Sequence, residues 1–179
     1  LNRQYYFYDQ IGLKKSHTLK ENIKQSMQSL SKEFYERPNN EWKHLVYCLI
    51  LFHAIIQERR KFGSLGWNST YDWNRSDLET SFKTLEQYVP SETSTIPWIA
   101  LEEIIAVIHY GGRVTDFLDL RCVKTLFSDL FKNPSQHILK YLPPSKNCSL
   151  EELNAFVRKL PTMEDPRIFG LNHNANKTF

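Results

Sequence analysis

The sequence has 179 residues, a length that fits one domain able to bury roughly 70% of its unfolded surface. Hydrophobic residues make up 41% and charged residues 24%, which is ordinary for a soluble globular protein, and six Gly and eight Pro are too few for a loop-rich β protein. The formal net charge is only +3, with basic and acidic residues interleaved, so the composition does not favour a nucleic-acid binder.

The cysteines and the apolar runs restrict the class of protein further. Cys48, Cys122 and Cys148 are odd in number and irregularly spaced, which predicts free thiols in a reducing compartment. The longest apolar run, residues 45–56, is too short to span a bilayer, which needs about 20 residues. The chain starts at Leu1 without a signal-peptide pattern, and we expect it to be a piece of something longer.

In chain order, residues 1–16 are aromatic and polar without a clear period, and they predict an extended lead-in segment. From Thr18 onward, apolar residues recur at helical spacing as far as Phe34. Thr18 and Glu21 match a capping box, so the sequence predicts one helix that starts here and stops at Pro38.

A second helix is expected from near Asn40 to about Lys61. Its middle, LVYCLILFHAII, is apolar on nearly every face, which predicts a helix buried at the centre with the others around it. Arg59 and Arg60 lie near its end, where positive charge complements the carbonyl end of the helix dipole. Gly63 can then end the helix in the left-handed conformation.

Residues 63–74, GSLGWNSTYDWN, predict an ordered loop. This loop should anchor itself by burying Trp67, Tyr71 and Trp73. Ser76 with Glu79 matches a second capping box, which predicts that the next helix opens there.

Three further helices complete the pattern. The first covers residues 98–110 and carries Ile108 on its apolar side, and the second covers residues 115–131 with Thr115 as its cap. The last covers residues 149–160 and opens with another capping box.

The predicted fold class is therefore an all-α bundle of about six helices, because no run of alternating strands occurs. Its predicted organisation is an extended lead-in at residues 1–16, a helical domain at 17–160 and an irregular tail at 161–179.

The stretch HYGGRVTD, residues 109–116, admits two interpretations. Its glycines could present Arg113 to a phosphate, but a P-loop needs G-x-x-x-x-G-K-[ST] and a dinucleotide site needs G-x-G-x-x-G. Neither motif occurs in the sequence. Any phosphate site would therefore be partial, with Arg113 lent to a nucleotide held elsewhere.

The structural interpretation of HYGGRVTD is complete without a ligand. It predicts that Gly111 or Gly112 takes a positive φ to end one helix before the next one begins. Arg113 would then pair with a nearby carboxylate, Asp116 or Asp119.

The sequence does not indicate a set of residues that would form a metal site or a catalytic site. His44 and Cys48 lie one turn apart and His53 follows, but these do not supply the four ligands of a zinc site, so a core histidine and a packed thiol are predicted. An enzyme would require His53, His109 and a cysteine to converge. We assign no catalytic residue, no cofactor and no metal ligand from the sequence.

Four segments together resemble one family. FHAIIQERRKFGSLGWN followed by YGGRVTD looks like the C-terminal motor region of dynein heavy chains, and TLKENI and RIFGLNHNAN are similar to segments of that region. The resemblance covers roughly residues 17–176, in order and at compatible spacing. The form YGGRVTD looks more like axonemal than cytoplasmic heavy chains.

The resemblance implies the helical lid, or small subdomain, of the sixth AAA+ module of the motor ring. That module is regarded as not hydrolysing ATP, so the lid would be non-catalytic and would transmit ATP-driven conformational change between ring modules during ciliary movement. Its partners would be the neighbouring AAA+ subdomains and the C-terminal domain of the same heavy chain, with the microtubule reached only through the parent. No nucleic acid, membrane or cofactor is implied, and the location would be the cytoplasm and the axoneme.

Residues 1–16 do not resemble the proline-containing approach to this lid, whereas Arg113, near a helix start, resembles a nucleotide-sensing lid arginine by its position. The alternative from a different class is a free-standing helical adaptor for protein or RNA, which requires a clustered basic face with exposed rings.

Overall fold

A computed structural model describes residues 18–39, 41–89 and 95–177, and within these ranges it is helical without any strand. The described residues contain eight α-helices, which we number in chain order. They are α1 (Leu19–Met27), α2 (Lys32–Tyr35), α3 (Trp42–Arg59), α4 (Arg75–Tyr88), α5 (Trp98–Leu101), α6 (Phe117–Phe131), α7 (Gln136–Leu139) and α8 (Leu150–Lys159). Three 3-10 turns occupy Arg60–Leu65, Gly111–Arg113 and Pro166–Phe169.

The predicted all-α class is confirmed, and the six predicted helices become eight. The predicted first helix is two helices, because the Ser31 hydroxyl accepts a hydrogen bond from the backbone amide of Phe34 at 3.1 Å and starts α2 anew. The short helix α7 was not predicted. The predicted lead-in, residues 1–16, lies outside the described residues, and the predicted domain limits stay predictions.

Helix α3 is the centre of the fold, as its all-round apolar sequence predicted. Every residue from Leu45 to Ile56 is buried, and α3 packs against α1, α4 and α6. Each fully buried aliphatic side chain of this kind stabilises the fold by about 1.5–3 kcal/mol. No helix among the described residues is both long enough and apolar enough to cross a membrane.

The helix predicted over residues 98–110 changes its winding after one turn. Helix α5 ends at Leu101, and Glu102–Tyr110 continue as a π-helix. In a π-helix the hydrogen bonds run from residue i to residue i+5, so a turn takes more residues than in an α-helix. Ile105 and Tyr110 are therefore buried, whereas Ile108, predicted on the apolar side, is 62% exposed.

The 3-10 turn Pro166–Phe169 closes the core beyond α8. Ile168 and Phe169 are fully buried, and the ring of Phe169 lies 5.2 Å from that of Phe62. Gly170 ends the turn with a φ of 65°, a left-handed conformation that glycine adopts without steric cost.

A buried ion cluster ties both ends of the described chain to α3. The Glu58 carboxylate accepts hydrogen bonds from Asn22 Nδ2 at 2.7 Å, Lys61 Nζ at 2.6 Å and Lys177 Nζ at 3.1 Å. Lys177 also pairs with Glu164. Because these groups come from α1, from the end of α3 and from the C-terminal segment, they hold the three parts in one arrangement.

Candidate functional site

The two segments that carry the sequence fingerprint lie side by side. The backbone amide of Asn68 donates to the carboxylate of Asp119 at 3.0 Å, and the Asn68 side chain donates to Asp116 Oδ1 at 3.0 Å. The contact between residues 59–74 and residues 110–119 is called the motif junction below. It is the candidate functional site because it joins the two fingerprint segments.

The first half of the motif junction is built around Arg59, at the end of α3. Its Nε donates to the carbonyl of Gly66 at 2.7 Å, its Nη1 donates to the carbonyl of Phe169, and its guanidinium lies 5.1 Å from the Trp67 ring centroid. Gly66 is required here, since a Cβ at that position would lie 2.0 Å from the Arg59 carbonyl oxygen. Gly63 has a φ of 56° as predicted, but its ψ of −132° lies outside the left-handed helical region.

The loop after Gly66 anchors itself through its aromatic side chains, as predicted. Trp67, Tyr71 and Trp73 are buried. Their ring centroids lie 5.1–6.1 Å apart. The Trp73 indole N–H donates to the carbonyl of Tyr110 at 2.9 Å, which fixes the loop to the end of the π-helix.

Asp119 is the polar centre of the motif junction. Its carboxylate is almost fully buried and accepts from the backbone amides of Asn68 at 3.0 Å and Ser69 at 3.3 Å and from the Tyr71 hydroxyl at 2.9 Å. The sequence indicated Asp119 only as a possible partner of Arg113. Its three partners lie about fifty residues away along the chain, and no local pattern reveals them.

The N-cap of α6 is Asp116, so the prediction of Thr115 is wrong. The Asp116 carboxylate accepts from the backbone amides of Leu118 at 2.8 Å and Asp119 at 3.0 Å. The side-chain hydrogen bond from Asn68, followed by these amide bonds, lowers the pKa of Asp116. A carboxylate at this position satisfies orphan amides and also complements the helix dipole.

The predicted partners of Arg113 are also wrong. Its Nη2 donates to Asp77 Oδ1 at 2.8 Å, and its Nη1 donates to the carbonyl of Asp72 at 3.1 Å. Asp77 caps α4 with Asn74, whose backbone amide donates to Asp77 Oδ2 at 2.8 Å. Arg113 therefore bridges the motif junction to the start of α4.

The true capping box of α4 is therefore Asn74 with Asp77, and the predicted pair of Ser76 with Glu79 is wrong. The Asn74 side chain accepts from the backbone amide of Ser76, so Ser76 lies inside the first turn. Glu79 pairs instead with Arg75 one turn away.

Neither glycine of HYGGRVTD has a positive φ, so that prediction is wrong as well. Gly111 has a φ of −73° and belongs to a 3-10 turn. It is needed for close packing, since a Cβ there would lie 2.5 Å from Leu120 Cδ1 and 2.8 Å from the carbonyl oxygen of Ala106.

The basic run after α3 does not form a free positive patch. Arg59 is buried on backbone carbonyls, Arg60 pairs with Asp72 at 2.8 Å, and Lys61 pairs with Glu58 at 2.6 Å. Each of these cations therefore has an acceptor within the domain, so this run does not supply the clustered basic face that the RNA-binding alternative requires.

Of the candidate metal and catalytic side chains, His53 and Cys48 belong to the core, whereas His44 and His109 are partly buried. His53 is buried with Nδ1 2.9 Å from the Tyr110 hydroxyl, and burial lowers its pKa to about 4. Cys48 is buried 3.5 Å from His44 Nε2, and burial raises the pKa of its thiol to about 12. His109 Nδ1 lies 3.0 Å from Ser81 Oγ. Within the described ranges, no three His, Cys, Asp or Glu side chains group in a way that could hold a metal ion.

An open depression lies against the motif junction. Its volume is about 610 Å³, and its lining includes Arg60, Trp67, Asn68, Tyr71 and Asp72. An aromatic floor with polar groups at the rim can accept a side chain of a protein partner.

The fold and the motif junction define an all-helical domain whose sequence carries neither a P-loop nor a dinucleotide motif. The family model that describes the dynein heavy chain AAA lid domain matches residues 42–175 of this chain. The chain belongs to this family.

Curated relatives agree with this assignment. The chain is 37% identical over 171 residues to dynein axonemal heavy chain 6 of Homo sapiens. The alignment covers 90% of this chain and 4% of that protein. It is 38% identical over 173 residues to dynein axonemal heavy chain 1 of Mus musculus, with the same coverage of 90% and 4%. It is 32% identical over 176 residues to the dynein-1-alpha heavy chain of the flagellar inner arm I1 complex of Chlamydomonas reinhardtii. That alignment covers 90% of this chain and 4% of the relative. The chain thus spans about 4% of the length of these relatives.

Proposed function

We propose that this chain is the non-catalytic helical lid of the sixth AAA+ module in an axonemal-type dynein heavy chain. In that role it transmits ATP-driven conformational change between ring modules, as a rigid body that moves with its neighbours. Its partners are the adjacent AAA+ subdomains and the C-terminal domain of the same heavy chain. The microtubule is reached only through the parent chain, in the axoneme of a cilium or flagellum.

The motif junction is the observation that carries this proposal. The polar side chains of the fingerprint are used to fasten parts of the domain to one another, with Asp119 joining the loop to α6 and Arg113 joining the junction to α4. A satisfied buried polar network of this kind rigidifies a fold. A rigid block is what mechanical transmission between modules requires, because a soft domain would absorb the displacement.

The competing role of Arg113 as a nucleotide-sensing residue has less support. Its guanidinium is engaged by Asp77 and by the carbonyl of Asp72, so a phosphate that drew Arg113 away from Asp77 would have to break this pair. Asp77 is nearly buried in this pair, so its release would leave a poorly solvated carboxylate.

Titration of the chain with a fluorescent ATP analogue tests the non-catalytic role. We expect no binding at micromolar concentration. Micromolar binding would overturn the proposal, and its loss in an Arg113→Ala protein that remains folded would support the sensing role.

The transmission role is tested in the heavy chain that carries this lid. Asp119→Ala loosens the motif junction, so microtubule gliding should slow more than ATP hydrolysis does. Tyr71→Phe removes only one hydrogen bond from the same carboxylate and serves as the matched control. An equal fall in gliding and hydrolysis in Asp119→Ala would contradict a transmitting role.

A further inference from the structure

Residues 171–177 run from the last 3-10 turn back to the end of α3, and they are called the C-terminal strap below. Leu171 and Ala175 are partly buried against the core, and the other residues before Lys177 are exposed. No hydrogen bond joins residues 172–176 to any other part of the chain that the structure describes. The strap is therefore fastened chiefly at its end, by Lys177.

The ammonium group of Lys177 lies between two buried carboxylates. Its Nζ donates to Glu58 Oε2 at 3.1 Å and to Glu164 Oε2. The Glu58 and Glu164 side chains are only 1% and 6% exposed, so water does little to solvate their charges. Burial alone would lower the pKa of Lys177, but its hydrogen bond to Glu164 and the charges of both carboxylates outweigh burial and raise the pKa. Lys177 is therefore positively charged at neutral pH.

The two carboxylates differ in how far they depend on Lys177. Glu58 also accepts from Lys61 Nζ at 2.6 Å, so it keeps a cation when Lys177 leaves. Glu164 has no second cation among the residues that the structure describes. Its Oε1 accepts instead from the backbone amide of Leu19, at the start of α1. A buried carboxylate without a cation is costly, so loss of Lys177 would drive Glu164 towards water and away from the Leu19 amide.

We propose that Lys177 is an electrostatic lock that holds the C-terminal strap on the domain and couples the strap to α1 through Glu164. In the closed state the strap is fastened and the Leu19 amide has its acceptor. In the open state the strap is released, the Glu164 carboxylate turns to solvent, and α1 loses this bond to the body of the domain. Leu19 and Glu164 are 145 residues apart, so the lock joins the two ends of the described chain.

The lock deepens the proposed function and, for its role in the motor, rests on it. A lid that transmits displacement needs an element with two discrete arrangements that both of its ends can bias. Because Glu164 contacts both the strap and α1, release of either one weakens the hold on the other. Such coupling is reciprocal by thermodynamic necessity.

Packing of the Lys177 side chain offers a different explanation for the position of the strap. Its Nζ lies 5.8 Å from the ring centroid of Phe62 and 5.9 Å from that of Phe169. The aliphatic part of the side chain could hold the strap without its charge. Lys177→Met keeps an unbranched apolar side chain and removes only the ammonium group, so it separates the charge from the packing.

Hydrogen exchange measured by NMR at single amides tests the lock in the intact chain of 179 residues. In Lys177→Met, the amide of Ala175 in the strap and the amide of Leu19 in α1 should both exchange at least about tenfold faster. This is the factor expected for loss of a hydrogen bond to a charged group. The amides of α3 report global unfolding and should be unchanged.

Two further variants serve as controls. Lys177→Arg keeps the positive charge and should retain most of the protection at both amides. Lys83→Met removes an exposed lysine of α4 and should change neither amide. Unchanged exchange at Ala175 in Lys177→Met would show that packing holds the strap, which overturns the lock. A uniform rise that includes α3 would also overturn it, because Lys177 would then contribute only to overall stability.

A double variant tests the coupling through Glu164. Addition of Glu164→Gln to Lys177→Met removes the uncompensated charge but keeps a side-chain oxygen that can accept from the Leu19 amide. Protection of Leu19 should therefore return, whereas Ala175 should still exchange fast because the strap remains unfastened. Equally fast exchange of Leu19 in the single and the double variant would overturn the coupling.

The lock and the proposed function fail in different measurements. Unchanged exchange in Lys177→Met together with no binding of the ATP analogue rejects only the lock. Micromolar binding of the analogue rejects the non-catalytic role, whatever the exchange rates of Ala175 and Leu19 are.

Discussion

Gly111 and Gly112 are neighbours of the same type, yet the structure requires only one of them. A Cβ on Gly111 would meet Leu120 Cδ1 at 2.5 Å and the Ala106 carbonyl oxygen at 2.8 Å, whereas a Cβ on Gly112 would meet nothing within 4 Å. The Leu120 side chain can turn aside, but the Ala106 carbonyl belongs to the π-helix backbone. The absence of a side chain at Gly111 thus leaves room for Leu120 of α6 beside the end of the π-helix.

Replacement of each glycine by alanine should separate these two situations. Gly111→Ala should lower the free energy of unfolding by about 1–3 kcal/mol, because the added methyl overpacks the contact with backbone. Gly112→Ala should change it by less than about 1 kcal/mol, with stabilisation as the expected sign, because alanine restricts the unfolded chain. Denaturant unfolding of both variants measures the difference, and equal effects would show that Gly111 is not a packing constraint.

Residue roles set by near neighbours in the chain could be predicted, and roles set by distant ones could not. The capping boxes at Thr18 and Ser149 are confirmed, because each needs only a glutamate three residues later. The partner of Arg113 is Asp77, at a separation of 36 residues, so the nearby carboxylates gave the wrong answer. Thr115 was wrong because the adjacent Asp116 is an equally good cap by sequence.

At the scale of elements, Asp119 fastens an irregular loop to α6. Asp119→Ala should lower the free energy of unfolding by about 3 kcal/mol, because it leaves the buried Tyr71 hydroxyl and two partly buried backbone amides without an acceptor. Tyr71→Phe removes one donor to Asp119 and the hydroxyl that accepts from the Asp116 backbone amide at 3.3 Å, and it should lower the free energy of unfolding by a smaller amount, about 1–2 kcal/mol.

Hydrogen exchange distinguishes a local effect of Asp119→Ala on the loop from a general loss of stability. In Asp119→Ala, the backbone amides of Asn68 and Ser69 should lose protection before the amides of α3 do. In Tyr71→Phe, both amides keep their acceptor and should stay protected. Uniform loss of protection across the domain in Asp119→Ala would show that the carboxylate has no local role.

The π-helix could not be predicted from the apolar pattern. Leu101, Ile104, Ile105 and Ile108 fit the spacing of an α-helix, which predicted one apolar side. The buried residues are Leu101, Ile105, Ala106 and Tyr110, and the large side chains among them are spaced four and then five residues apart. The two ends of this segment are held by residues far away in the chain: Glu102 pairs with Lys132, and the carbonyl of Tyr110 accepts from the Trp73 indole. Both anchors come from other elements of the fold.

At the scale of the whole molecule, the position of His53 makes stability depend on pH. His53 lies in the middle of α3, where burial lowers its pKa from 6.5 to about 4. Between these values the unfolded chain binds a proton that the folded chain does not. Acid therefore favours unfolding over this interval, and the contribution of His53 to stability is lost as the pH falls from 6.5 towards 4. Below pH 4 both states carry the proton and the dependence ends.

His53→Gln should remove this part of the acid sensitivity. Over the full interval the shift in the pKa of His53 corresponds to about 3 kcal/mol. Between pH 7 and pH 4.5 the unmodified chain should therefore lose roughly 2–3 kcal/mol more of its free energy of unfolding than His53→Gln does. His173→Gln changes an exposed histidine and serves as the control, with the full acid sensitivity retained. Denaturant unfolding of the three proteins at the two pH values gives the comparison. An equal loss in all three would mean that His53 takes up its proton without opening the core, and that the centre of the fold is softer than its complete burial implies.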